Sequence, residues 1–116
     1  MSGGHTADAT ITVQAEHLTG SRVLLRVRGE IDISTAARLR SAALTQIDNQ
    51  PQLLIFHLGG VTFLDTAGLA VLIEVARLRP DLRLLVTDRT VRRALEMSGL
   101  SDWLNVYDNA ADALDS

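Results

Sequence analysis

The chain has 116 residues, of which 47% are hydrophobic and 22% charged, which is enough for one packed domain without metals or cross-links. It contains no cysteine, so disulfides, thiol nucleophiles and thiolate metal sites are excluded. A net charge of −3, scattered arginines and 3% aromatic residues argue against direct binding of nucleic acid. No segment has the length and apolarity needed for membrane insertion, and the start lacks a signal-peptide pattern, so we expect a cytoplasmic protein.

The first elements indicate a hairpin behind a loose start. Residues 1–9 are polar and contain glycine, which predicts a flexible N-terminal tail before a domain over residues 10–116. Apolar and polar residues alternate over 11–15, and a second apolar run covers 23–28, so both predict strands. The turn residues Thr19-Gly20-Ser21 between them predict an antiparallel pair.

A helix and a buried strand are predicted next. Ser34 or Thr35 can cap a helix that ends before Pro51. Its predicted apolar face consists of Ala36, Leu39, Ala43, Leu44 and Ile47. The run Leu53–Leu58 is nearly all apolar, as in a strand covered on both faces, and Gly59-Gly60 predicts a turn after it.

The second helix has the clearest start signal. Asp65 is the predicted N-cap, which places Thr66 at the first helical position, and Leu64 before the cap predicts a hydrophobic staple with Leu69. This helix should end by Pro80. Its predicted core face is formed by Leu69, Leu72, Ile73 and Ala76.

The remaining segments repeat the alternation of strand and helix. A buried strand is predicted over Leu82–Val86, followed by a helix capped by Thr90 and ended by Gly99 in a left-handed turn. Val106 and Tyr107 predict a last short strand, and residues 109–114 a final amphipathic turn. The pattern predicts an α/β domain with a mixed, mostly parallel sheet, an N-terminal hairpin and about four helices.

Three segments resemble the STAS domain family, whose bacterial members include anti-sigma factor antagonists. They are residues 29–32 (Gly-Glu-Ile-Asp), residues 58–69 around Asp65-Thr66-Ala67-Gly68-Leu69, and residues 91–100. The middle segment is the most specific. The resemblance covers about residues 23–114 and implies a single STAS domain.

The resemblance also implies a mechanism. Thr66 stands where such antagonists carry a phosphorylated serine, so the expected partner is an anti-sigma factor that is an ATP-dependent serine/threonine kinase. The unmodified antagonist would bind it and free a sigma factor, phosphorylation would release the antagonist, and a phosphatase would restore it. The expected partner-binding residues are Glu30, Asp32, Asp65, Thr66, Gly68 and Leu69. No catalytic residue, metal or cofactor is expected in this chain.

Three positions depart from the family pattern. Thr66 replaces the usual serine and has a β-branched, stiffer side chain. Ala67 replaces a second serine and removes one hydrogen-bond partner. His57 stands where many relatives have aspartate. These departures concern phosphorylation and leave the predicted fold unchanged.

Two other functions remain open at this point. The Asp-Thr-Ala-Gly-Leu-Ala run is also similar to STAS subunits that contact the ATPase of lipid-transport ABC complexes, and a non-phosphorylated interaction module is a further possibility. An enzyme is disfavoured, since no Gly-x-Ser-x-Gly elbow occurs and Asp65 is the sole base candidate beside Thr66 in sequence. His5, His17 and His57 lack the spacing of a metal site.

Overall fold

A five-stranded sheet in the order β1-β2-β3-β4-β5 forms the centre of the fold. The structure, a computed structural model, describes residues 11–102 and 104–115. The predicted tail over residues 1–9 lies outside them. The strands are β1 (Ile11–Leu18), β2 (Arg22–Ile31), β3 (Leu53–Leu64), β4 (Arg83–Leu85) and β5 (Asn105–Tyr107). The helices are α1 (Ala36–Asp48), α2 (Thr66–Leu78), α3 (Arg89–Met97) and α4 (Ala110–Leu114), with a 3₁₀ turn at Leu100–Asp102.

The N-terminal hairpin and the parallel strands confirm the predicted topology. β1 and β2 pair antiparallel, whereas β2, β3, β4 and β5 pair parallel in sequence order. Gly20 and Ser21 have φ angles of 77° and 59° in the hairpin turn. Positive φ at two successive turn residues matches the right-handed twist of the flanking strands, which explains the tight connection.

The prediction of a turn at Gly59-Gly60 is wrong, because β3 continues through both glycines to Leu64. The pairing with β2 shifts register between Arg26 and Arg28, where the glycines pass. A Cβ at Gly59 would lie 2.5 Å from the His57 ring, and one at Gly60 would lie 2.7 Å from Cγ of Arg28. The glycines therefore allow a bulge with close side-chain approach inside a strand.

The predicted start positions of α1 and α2 are found in the structure, and that of α3 is not. Asp65 caps α2 as predicted. Thr35 occupies the N-cap position of α1 but makes no capping bond with its side chain. The prediction that Thr90 caps α3 is wrong, since Asp88 accepts a hydrogen bond from the Val91 N–H. An aspartate two residues earlier competes well for this position because its carboxylate reaches the free N–H groups.

Two apolar clusters cover the two faces of the sheet. The larger one contains the buried side chains of α1, α2 and α3 together with alternate residues of the strands. The smaller one consists of Leu24, Leu53 and Ile55, against which Leu18 of β1 and Leu114 of α4 pack. Three helices thus cover one face, and α4 covers part of the other.

The buried faces of α1 and α2 differ from the predicted ones. In α1, Gln46 is buried, while Leu44 and Ile47 are only partly buried. In α2 the buried residues are Gly68, Val71, Leu72, Val75 and Ala76. Leu69 and Ile73 flank this stripe and are partly buried. A helix made largely of apolar residues offers several possible stripes, so the contact with the sheet selects the buried one.

None of the helices within residues 11–102 and 104–115 is long and apolar enough to cross a membrane.

Candidate functional site at the carboxyl edge of the sheet

The carboxyl ends of β2 and β3 bring the two acidic segments of the sequence together. These strands are parallel, with Glu30 opposite Phe63 and Ile31 opposite Leu64. The Asp65 N–H donates to the Ile31 carbonyl at 3.1 Å, which joins the two chains just beyond the sheet. Parallel strands end at the same edge, so the segments that follow them share one surface. We call this surface, with residues 30–34 and 63–66, the carboxyl-edge site.

Asp65 starts α2, and Thr66 follows it as an exposed residue. The Asp65 Oδ1 atom accepts from the backbone N–H groups of Ala67 at 2.9 Å and Gly68 at 3.3 Å. This cap satisfies two of the four N–H groups that a helix start leaves free. Thr66, at the first helical position, is exposed to solvent. Its hydroxyl is therefore accessible to another macromolecule.

Gly68 positions the helix rather than presenting a surface. Gly68 is one of the residues predicted to bind a partner, but the structure buries it. A Cβ on Gly68 would lie 2.4 Å from Cδ1 of Leu64 and 2.7 Å from Cγ2 of Ile31. The absent side chain lets the first turn of α2 approach the ends of β2 and β3 closely. Leu69 is partly buried and packs against the core.

The connection between β2 and α1 is a turn organised by Asp32 and Thr35. The Asp32 Oδ1 atom accepts from the Ser34 N–H at 2.9 Å, the Ser34 hydroxyl at 2.7 Å and the Thr35 N–H at 3.1 Å. The Thr35 side chain is buried; its hydroxyl donates to the Glu30 carbonyl at 2.7 Å and accepts from the Asp32 N–H at 2.9 Å. Asp32 thus has a structural task in addition to any contact with a partner.

The charge of this site is negative. The hydrogen bond from the Ser34 hydroxyl, assisted by backbone N–H groups, holds the pKa of Asp32 below its ordinary value despite partial desolvation. Glu30 is exposed, and Asp65 is partly buried. Of the six residues predicted to bind a partner, the structure brings Glu30, Asp32, Asp65 and Thr66 to one edge of the sheet.

Two apolar residues of this surface are not identified by the sequence analysis. Ile33 is 85% exposed and Phe63 is 46% exposed. A hydrophobic pattern in the sequence assigns apolar residues to the core, so it does not show which of them are exposed. One signal is available for Ile33, because it stands between Asp32 and Ser34, two residues typical of a turn.

His57 lies within β3, before the glycine bulge, and pairs with Arg26 of β2. Its Nδ1 atom accepts a hydrogen bond from the Gly59 N–H at 3.1 Å. Burial lowers the pKa of His57, and the nearby Arg26 lowers it further. This histidine supports the bulge and is not part of the carboxyl-edge site. Within the described ranges, no three potential ligands converge on a metal position.

The chain is similar in sequence and structure to several known proteins. It is 30% identical to an anti-sigma-F factor antagonist, RsfB, of Mycobacterium tuberculosis, over 94% of this chain and 91% of that protein. A solved structure of an anti-sigma factor antagonist from Mycobacterium paratuberculosis superposes with a TM-score of 0.84 at 29% identity, covering 90% of this chain and 91% of that one. The unphosphorylated form of the anti-sigma factor antagonist SpoIIAA gives a TM-score of 0.69 at 25% identity, covering 90% and 94%. The sequence model of the STAS domain matches residues 12–113, nearly the whole chain, and the chain therefore belongs to the STAS domain family.

Proposed function

We propose that this chain is an anti-sigma factor antagonist that binds an anti-sigma factor of the ATP-dependent kinase type through the carboxyl-edge site. Phosphorylation of Thr66 by that partner ends the complex, and a phosphatase restores the free hydroxyl. The observation that carries the proposal is the exposure of Thr66 at the capped start of α2. The relatives are named anti-sigma factor antagonists, which supports this pathway, and we propose that it operates in the cytoplasm.

The geometry supports a switch that leaves the fold intact. A phosphate on Thr66 carries about −1.5 to −2 charges at neutral pH and lies at the positive end of the α2 dipole. The Asp65 carboxylate already occupies the Ala67 and Gly68 N–H groups, so it offsets part of this favourable term. The net effect on folding is small. The effect on a partner is large, because the phosphate adds to the charges of Glu30, Asp32 and Asp65.

The antagonist supplies one chemical group in the transfer. The Thr66 Oγ1 atom attacks the γ-phosphorus of ATP, an O–P bond forms, the bond to the β-phosphate oxygen breaks, and ADP leaves. The hydroxyl proton passes to a base, and the partner supplies nucleotide and base. Asp65 is committed through Oδ1 to capping α2, which favours a base from the kinase.

The experiment uses each anti-sigma factor encoded in the source genome, purified separately and incubated with ATP and this chain. We expect one phosphoryl group on wild type, located at Thr66 by fragmentation mass spectrometry, and none on Thr66→Ala. We expect Thr66→Ser to be modified at least as fast, since serine lacks the stiff β-branch. A partner that binds but leaves Thr66 unmodified in the presence of ATP would favour the non-phosphorylated module.

Binding measurements test the switch itself. Inverting occupancy from 99:1 to 1:99 takes about 5.5 kcal/mol of differential affinity. We expect Thr66→Glu, which adds one charge rather than two, to weaken binding at least 100-fold while changing the free energy of unfolding by less than about 1 kcal/mol. The matched control is Thr90→Glu, because Thr90 is an exposed threonine in the first turn of α3, which also starts at an aspartate cap.

Equal binding by wild type and Thr66→Glu would contradict the switch. Binding to an ABC ATPase, with no affinity for any anti-sigma factor, would replace the proposal by the lipid-transport alternative.

A further inference from the structure

Large apolar side chains are exposed at four positions of the described chain, and two of them belong to the carboxyl-edge site. Ile33 and Phe63 are 85% and 46% exposed there, while Leu78 and Met97 are 52% and 79% exposed elsewhere. A single exposed apolar residue needs no explanation. Two of them on either side of the β2–β3 junction, on a surface otherwise formed by acidic and hydroxyl side chains, indicate contact with another molecule.

The turn holds Ile33 outward before any partner arrives. The Asp32 carboxylate, just before Ile33, accepts hydrogen bonds from the backbone N–H groups of Ser34 and Thr35, just after it. These bonds hold the turn around Ile33 in one conformation. The buried Thr35 hydroxyl ties the same turn to the Glu30 carbonyl. Because the turn is already ordered, docking of Ile33 does not pay for ordering a loop.

The sheet holds Phe63 in a similar way. Ile31 and Leu64 form a register pair at the ends of β2 and β3, and both are buried in the larger cluster beneath the helices. The pair before it, Glu30 and Phe63, therefore faces the opposite side of the sheet. The register shift between Gly29 and Glu30 leaves Thr62 as an extra residue. Phe63 is thus fixed by backbone pairing next to an acidic neighbour.

We propose that Ile33 and Phe63 are the two apolar anchors of the complex, and that they insert into an apolar recess on the partner bordered by arginine or lysine side chains. This inference rests on the proposed function and specifies the partner surface. Glu30, Asp32 and Asp65 lie on the same edge of the sheet as the anchors, and their charges favour positive charge on the partner. They disfavour a second copy of this chain and nucleic acid for the same reason.

The anchors explain how one phosphate can have a large effect. Thr66 follows Asp65 at the same edge, so a partner that covers both the anchors and the start of α2 presses against a phosphate on Thr66 and removes water from it. Desolvated charge is costly unless it is paired well, whereas charge at an exposed rim is screened. The phosphorylated chain must then either leave the anchors partly exposed or bury the phosphate.

The test measures the affinity of the anti-sigma factor that phosphorylates Thr66 for the variants Ile33→Ala and Phe63→Ala. We expect each change to raise Kd by about 10- to 30-fold, mainly through faster dissociation, because buried anchors dominate interface energetics. The matched controls are Met97→Ala and Leu78→Ala, which remove similarly exposed apolar groups elsewhere. We expect less than about a twofold change for these.

The charged border has its own readout. Glu30→Gln and Asp32→Asn remove charge while leaving an amide oxygen that can accept hydrogen bonds, so the Asp32 turn is preserved. We expect each to lower the association rate and to reduce its dependence on ionic strength, with a smaller change in the dissociation rate.

The outcomes separate this inference from the proposed function. If the anti-sigma factor binds wild type and Thr66→Glu weakens it, but the anchor variants behave like Met97→Ala, the anchors are wrong and the proposed function stands. Self-association of wild type in sedimentation that is lost in Ile33→Ala or Phe63→Ala would assign the anchors to a second copy. Absence of binding to every anti-sigma factor of the source genome would overturn both. Unchanged melting temperatures of the variants confirm that only the surface was altered.

Discussion

The two edges of the sheet use their polar residues differently. At the amino edge, guanidinium groups donate to backbone carbonyls of the same chain: Arg22 to Leu114, and Arg83 to Ala113 and Asp115. At the carboxyl edge, Asp32 and Asp65 also bind the backbone of the same chain, but Glu30 and Thr66 are exposed. The amino edge uses both arginines to hold the fold together, whereas part of the carboxyl edge remains open to solvent.

The same contrast appears in the apolar residues of the uncovered sheet face. Near the amino edge, Leu114 of α4 packs against Leu24, Leu53 and Ile55. Near the carboxyl edge, Phe63 remains half exposed. One face of the sheet thus changes along its length from a covered core to an open surface, so the amino ends of these strands contribute to stability while the carboxyl ends remain available for the proposed contact.

The largest expected effect comes from Gly68→Ala, which disturbs the packing between α2 and the carboxyl ends of β2 and β3. The new Cβ would lie within 3.0 Å of Leu64 and Ile31 side-chain atoms, so we expect a loss of about 1–3 kcal/mol in the free energy of unfolding, reduced somewhat by better helix propensity. Urea unfolding measures it. The exposed Ala70→Ser change in the same helix serves as control, with an effect below about 0.5 kcal/mol. Equal stability of both variants would show that the helix start is not tightly packed.

At the amino edge, Arg83→Met keeps most of the aliphatic side chain but removes the N–H groups that donate to α4. It also removes the guanidinium group, whose central carbon lies 5.7 Å from the centre of the Tyr107 ring. We expect a loss of about 1–2 kcal/mol, because charge-assisted bonds in a partly exposed site are worth less than buried ones. Faster amide exchange in α4 should accompany it. Affinity for the anti-sigma factor should not change. A reduced affinity would contradict a purely structural role for the amino edge. Arg93→Met, at an exposed position of α3, is the control.

The Asp65 cap at the carboxyl edge contributes less to stability, and its contribution as a hydrogen-bond acceptor can be separated from that of its charge. Asp65→Ala removes the acceptor for the Ala67 and Gly68 N–H groups and should cost about 1 kcal/mol. Asp65→Asn keeps an acceptor and should cost only a few tenths. If Asp65→Asn nevertheless weakens binding of the anti-sigma factor, the carboxylate contributes charge to the interface. Thermal unfolding and calorimetric binding of the pair distinguish the two roles.

The smallest effect concerns His57 between the two edges. Its pKa is lowered in the folded state by burial and Arg26, partly opposed by Glu16. The unfolded chain therefore binds more protons below about pH 6.5, and the free energy of unfolding should fall as pH decreases from there through the folded pKa. His57→Gln should reduce this slope between pH 7.5 and 5. A slope equal to that of wild type would mean that His57 is not the titrating group.

Local signals predicted the features that depend on neighbouring residues. The cap at Asp65, the left-handed turn at Gly99 and the start of α4 at Asn109 all follow from a side chain or a φ angle acting within a few residues. Two of the wrong predictions have different causes. At Gly59-Gly60, a bulge in the pairing with β2 overrides the local turn signal, whereas at Thr90 the cap position is taken by Asp88, two residues earlier in the chain.

The alternation of strands and helices, the parallel topology and the position of Thr66 directly after its cap follow from the amino-acid sequence, because hydrophobic period and capping act over short distances. Only the packing of the folded chain places Glu30 beside Phe63 and buries Gly68. Both features depend on the pairing of β2 with β3, strands separated by a whole helix. No periodicity along the chain records that register, since it arises from packing between distant residues.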